Sequence, residues 1–166
     1  NELLYLKPNI NIFIPTLPHF KKFIKEKTKD WEINTIIVSN PLEMDKYYSN
    51  TKYSLTCSGT ASLEISKRRI PQLVIYKFNF FTEFIIKFFI KVKFANLINI
   101  IEDKIVVPEL INSQLNKYSF TREFKKLILN DHLNTKQINQ IDISIRNFES
   151  DSPPYDKAAS RIIDNL

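Results

Sequence analysis

Apolar and polar positions along this chain alternate between two periods. Short β-type apolar runs at 10–14, 33–38, 53–57 and 72–76 are separated by stretches whose apolar residues recur at helical spacing. The helical stretches predict helices at 18–27, 41–49 and 61–69, and a weaker apolar run predicts a fifth strand at 96–100. Uninterrupted runs such as Thr35-Ile36-Ile37-Val38 are what strands covered on both faces show. Strands alternating with helices of about ten residues predict an α/β fold, a parallel sheet in right-handed βαβ units. After Pro108 the period is helical to the end, with helices at 113–130, 135–148 and 154–165 and a break at 150–154.

Composition narrows the picture. With 43% hydrophobic and 25% charged residues over 166 positions, the chain has the makings of one ordinary core and not of a disordered segment. Ile, Lys, Asn and Phe dominate, the mark of an AT-rich genome, so a single Lys or Asn carries little information. The net charge of +6 suits anionic partners and equally suits a solvated Lys-rich surface. The basic residues are scattered, with no recognition-helix pattern, which argues against nucleic acid. The single cysteine, Cys57, excludes an internal disulfide framework, and its place at the end of an apolar run predicts a buried small hydrophobe. His19 and His132 have no partners at ligand spacing, so neither a metal nor another cofactor is expected. No stretch is long and apolar enough for a membrane span. The chain starts at Asn1 without a Met or a leader pattern and reads as a fragment.

One glycine occurs, Gly59, where usual composition would supply roughly a dozen. It lies in Ser58-Gly59-Thr60, between the strand at 53–57 and the helix at 61–69. A glycine at a strand-to-helix turn lets backbone N–H groups approach a phosphate at the positive end of the helix. The bland alternative is a capping turn, with Ser58 or Thr60 as the cap. Glu64, one turn on, fits either a ribose partner or a carboxylate favouring the helix dipole. Residues 78–94, FNFFTEFIIKFFIKVKF, interleave phenylalanines with lysines. Such a segment suits an anionic bilayer or acyl chains, and equally a helix buried in a fold or dimer core. Asn96–Asn99 and the 106–110 run, VVPEL, read from spacing alone as turns and caps.

Taken in order, CSGTASLEISKRRIPQLVIYK (57–77), the aromatic stretch 78–94 and NLINIIEDKIVVPELIN (96–112) resemble the C-terminal half of the lipid-A-disaccharide synthase family. The order and spacing of S-G-T-x-x-L-E, the P-x-V-V-x-Y-K strand and V-P-E hold over roughly residues 50 to 115, and NINIFIPTL (9–17) agrees. The resemblance implies a Rossmann-like C-terminal domain of a GT-B glycosyltransferase, a parallel sheet flanked by helices with a helical C-terminal tail. It implies residues 1–130 as the nucleotide-sugar domain and 131–166 as a tail packing on a partner domain or protomer. The implied enzyme transfers 2,3-diacylglucosamine from UDP to 2,3-diacylglucosamine 1-phosphate (lipid X), with inversion. The products are a β-1,6 disaccharide 1-phosphate and UDP. The implied setting is the cytoplasmic face of the inner membrane.

By match, Ser58, Gly59 and Thr60 face the diphosphate, Glu64 meets the ribose, and Asn99 and Glu109 lie on the UDP side. Tyr76, Lys77 and Asn112 fall beside the cleft. Phe80, Phe81, Phe84, Phe88, Lys87 and Lys91 fall on acyl chains or membrane. No catalytic residue is implied here: the P-G-S-R loop and the N-terminal domain with its general base precede the matched region. A homodimer is implied, and the fragment alone is expected to bind UDP at most weakly and not to turn over. Two departures stand out: Asn112 replaces a usual Gln, and Asp103 stands where glycine is common. The competing readings are another UDP-GlcNAc-using GT-B enzyme, of the peptidoglycan transferase or epimerase type, and a non-enzymatic membrane-binding module built on 78–94.

Overall fold

The computed structural model describes residues 9–57, 59–77, 93–148 and 162–163, in two units that divide after Thr51. In unit 1, β1 (Ile12–Pro15) pairs in parallel with β2 (Thr35–Val38), Ile12 opposite Thr35. A 3-10 turn (Pro18–Phe20) and α1 (Lys21–Thr28) connect them, and α2 (Pro41–Tyr48) follows. Pro41 opens α2 where its missing N–H is harmless, and Asn40 accepts from the Leu42 N–H at 3.1 Å. Phe13 of β1 lies 5.0 Å from Tyr47 and 5.3 Å from Tyr48, which seats α2 on the strands.

Unit 2 holds β3 (Ser54–Thr56), α3 (Thr60–Lys67), β4 (Gln72–Tyr76), α4 (Leu97–Glu102) and β5 (Glu109–Ile111). A 3-10 turn (Asn112–Gln114), α5 (Lys117–Leu129) and α6 (Asp131–Phe148) complete it. The sheet order is β3-β4-β5 and both pairings are parallel, with Thr56 opposite Val74 and Val74 opposite Glu109. Neighbouring residues of β4 serve opposite faces, as the period of two demands. Val74 packs with Ile98, Val106, Val107 and Ile141, with Leu63 and Ile145 against them. Leu73 packs with Leu110 and Leu127, joined by Phe120 and Phe124. Helices therefore cover both faces of this sheet, the arrangement of a Rossmann-like α/β domain. Val74, Val107 and Ile141 are fully buried, each stabilising by about 1.5–3 kcal/mol.

Several sequence expectations are corrected. The run at 96–100 is not a strand but the start of α4, because the Asn96 side chain caps the Ile98 N–H at 3.0 Å and commits the run to a helix. The segment read as turns and caps contains β5, whose three residues are held by β4 rather than by any periodicity of their own. The helix expected from 113 begins at Lys117, behind the 3-10 turn, with Asn116 accepting from the Ser119 N–H at 3.0 Å. Cys57 is exposed, not buried, because β3 ends one residue earlier. Of the Thr35–Val38 run, only Val38 is buried. Of the segment read as a tail, α6 delivers Ile141 to this chain's own core. The helix expected at 154–165 lies outside the described residues apart from Ile162 and Ile163. Among the described residues, no helix is long and apolar enough to cross a membrane.

Candidate functional site

Because β3, β4 and β5 run parallel, the turn after β3, Lys77 after β4 and Asn112 after β5 lie at one edge of the sheet. This carboxyl edge is where open α/β sheets take ligands. Gly59 is the N-cap of α3, with φ 121° and ψ −153°, a region open in practice to glycine alone. A Cβ placed there would meet no heavy atom within 4 Å, so backbone conformation and not crowding requires the glycine. Its carbonyl accepts from the Ser62 N–H at 3.1 Å and, more weakly, from Leu63 at 3.4 Å. Among the described residues no side chain caps this end, so the capping role offered to Thr60 is not observed, and the other candidate, Ser58, lies outside those residues. Gly59, Thr60 and Ala61 are exposed, and the leading N–H groups of a helix have no partner within it. The result is an open, electropositive turn suited to an anion.

Glu64 is exposed and reaches Arg68 at 3.3 Å, a surface pair worth little energetically. Tyr76 sits opposite Ile111, and Asn112 leaves β5 in the left-handed region at φ 49°. Lys77 is exposed. Ser58 lies outside the described residues, as do Phe80, Phe81, Phe84, Lys87, Phe88 and Lys91.

Asn99 and Glu109 are placed as supports. The fully buried Asn99 accepts from the N–H groups of Val106 and Val107, each at 2.8 Å, and donates to the Val107 carbonyl at 2.7 Å. Its amide is occupied by the loop that leads into β5. The half-buried Glu109 carboxylate accepts from the Asn96 N–H at 2.8 Å and the Ala95 N–H at 3.1 Å. Burial raises its pKa above the ordinary carboxylate value, and hydrogen bonds from the Asn96 and Ala95 N–H groups and the Asn99 side chain oppose that rise only in part. Asp103 closes α4 in the left-handed conformation, φ 46°. That conformation is one a glycine adopts without strain.

Sequence reasoning missed the group that ties these parts together. Gln72, fully buried at the start of β4, accepts from the Thr56 hydroxyl at 2.8 Å and the Ser62 hydroxyl at 2.9 Å. Its amide nitrogen donates to the Ser62 carbonyl at 3.1 Å and to the Ser66 hydroxyl at 2.8 Å. All four hydrogen-bonding positions of the amide are filled. Asn96 then donates to the Ser62 hydroxyl at 2.6 Å, linking this cluster to Glu109. On the α6 side, Gln137 bonds the Gln72 backbone N–H at 2.7 Å and carbonyl at 3.0 Å. Serines four apart on one face of α3 were the available signal. Among the described residues, no cluster of His, Cys, Asp or Glu could hold a metal. A shallow cleft at the opposite end of α3 is lined by Lys67, Arg69, Asp142, Ile145 and Arg146.

A parallel sheet with helices on both faces and an open glycine turn at its carboxyl edge defines a Rossmann-like α/β domain. The chain matches the lipid-A-disaccharide synthetase family over residues 1–163 and belongs to that family, which is one of glycosyltransferases. It is similar to the lipid-A-disaccharide synthase of Rickettsia typhi, 33% identical over 93% of this chain and 41% of that protein. The synthase of Rhodospirillum centenum is 25% identical over 94% of this chain and 39% of its own length. A probable mitochondrial lipid-A-disaccharide synthase of Arabidopsis thaliana is 26% identical over 70% of this chain and 26% of that protein. The chain thus spans about two fifths of the length of the bacterial relatives.

Proposed function

We propose that this chain is the donor-nucleotide half of a lipid-A-disaccharide synthase. The whole enzyme transfers 2,3-diacylglucosamine from its UDP donor to 2,3-diacylglucosamine 1-phosphate, with inversion, and releases UDP. The observation that carries the reading is the open Gly59 turn at the carboxyl edge of β3, within a chain of this family. Thr60 and the exposed turn receive the diphosphate, with Ser58 beside them. Glu64 releases Arg68 to accept the ribose hydroxyls. Asn99 and Glu109 act from beneath, holding the loops that frame the cleft, and Tyr76, Lys77 and Asn112 line its rim. The general base belongs to an N-terminal domain facing this one. Residues 78–94 supply the contact with acyl chains and with the cytoplasmic face of the inner membrane, and the enzyme works as a homodimer.

The test is disaccharide formation from the two acylated sugars by the enzyme assembled with its N-terminal domain. Gly59→Val and Glu64→Ala each lose most turnover while the far-ultraviolet circular dichroism stays that of the parent. Wild-type turnover in both variants would remove the nucleotide from this turn.

A further inference from the structure

We infer that Gln72 is a positioning residue for the nucleotide turn, setting the affinity of the Gly59 end of α3 for a nucleoside diphosphate without touching it. The inference rests on the nucleotide reading above and adds to it a residue that lies away from the ligand. The argument is geometric. An eight-residue helix with a glycine N-cap has little of its own to fix its axial rotation or its height above the sheet. Here both are fixed by one amide. The Ser62 hydroxyl and carbonyl and the Ser66 hydroxyl, a turn apart on the inner face of α3, all bond the Gln72 side chain, which also holds Thr56 of β3. Ser62 is itself the donor to the Gly59 carbonyl, so the bonded face of α3 begins at the turn. Loss of the amide lets α3 rotate or slide, and the outward N–H groups of residues 59–61 lose their common aim. A preorganised set of donors binds an anion more tightly than one that must be ordered at binding.

The side-chain partners of Gln72, namely Thr56, Ser62 and Ser66, are uncharged, and so is Gln137 on its backbone. The nearest titratable group of the network is Glu109, reached through Ser62 and Asn96, and division by the parent at the same pH takes out its own titration. In Gln72→Glu the protonated acid still offers a donor and an acceptor, whereas the carboxylate has no donor for the Ser62 carbonyl. Burial raises the pKa of such a group into the working range. The probe is UDP, titrated by calorimetry into the enzyme assembled with its N-terminal domain, parent and variant alike. The variant's dissociation constant, divided by that of the parent at the same pH, rises by about tenfold between about pH 6 and about pH 9, the net worth of one hydrogen bond. Gln137→Leu, which unties Gln72 from α6 but leaves its amide on α3, lowers thermal stability and leaves UDP affinity within about twofold. A ratio for Gln72→Glu that is flat with pH overturns the inference, as does a Gln137→Leu variant that binds UDP as poorly as ionised Gln72→Glu. An assembled parent enzyme that does not bind millimolar UDP is a different outcome. It removes the nucleotide reading and this inference with it.

Discussion

Units 1 and 2 are built on one plan, parallel strands joined through helices, but they are held together by different means. Among the described residues unit 1 buries two aliphatic side chains, Ile33 and Val38, neither completely, and the Asn34–Asn11 side-chain bond at its strands, 2.7 Å long, is exposed. Unit 2 holds most of the other buried aliphatics in clusters on both faces of its sheet, and buries Gln72 and Asn99 completely. Every buried side-chain nitrogen and oxygen among the described residues has a partner. The difference shows where polar specificity is possible. An amide in a thick core costs stability unless all its bonds are made, so once made they fix one arrangement. The open turn stands on the unit that has such bonds.

The comparison breaks most readily in the core. Ile141→Ala removes a fully buried side chain from unit 2 and lowers stability by about 2–5 kcal/mol in urea unfolding. Val38→Ala in unit 1 costs less, and an equal or larger loss there would mean that the two units do not differ in this way. Next come the amides. Asn99→Ala leaves two N–H groups and a carbonyl buried without partners and costs about 3 kcal/mol. Asn34→Ala, at an exposed site, stays within about 0.5 kcal/mol.

Smaller effects sharpen unit 2 itself. Asp103→Gly relieves a left-handed non-glycine residue and loses only an exposed contact to Lys93. The variant melts higher, by the equivalent of about 0.5 kcal/mol. Glu109→Gln tests the buried carboxylate. With its folded pKa raised above the unfolded value, the native state binds more protons between the two values, so stability falls as pH rises through that window. The glutamine variant, which still accepts from Asn96 and Ala95, does not show this fall in a pH series of unfolding curves. Parallel slopes for parent and variant would remove the burial effect.

Much of the framework was legible because it is local. The strand at 72–76 was read at its observed limits, and those at 33–38 and 53–57 within two residues, because apolar runs between turn residues leave few options. The lone glycine marked the turn through composition alone. Asn96 was a poor guide in isolation: NLINII fits a short strand or a helix, and only the cap and the Glu109 carboxylate decide between them. Gln72 was the least legible. A polar residue opening an apolar strand reads as a boundary, while its partners lie 6, 10, 16 and 65 positions away. Nothing local announces that Ser62, Ser66 and Thr56 converge on it.

Gln137 has a further consequence. Strand β5 pairs with β4 from Val74 onward and stops short of Gln72. There, the backbone N–H and carbonyl of Gln72 would stand open at the sheet's flank, but the Gln137 amide takes both. A side chain from a helix thus impersonates one residue of a missing strand, matching a peptide unit donor for acceptor. The sheet gains a stitch from an element that is not a strand. The gap that might have templated the strand of a neighbouring chain is filled by the chain's own hand.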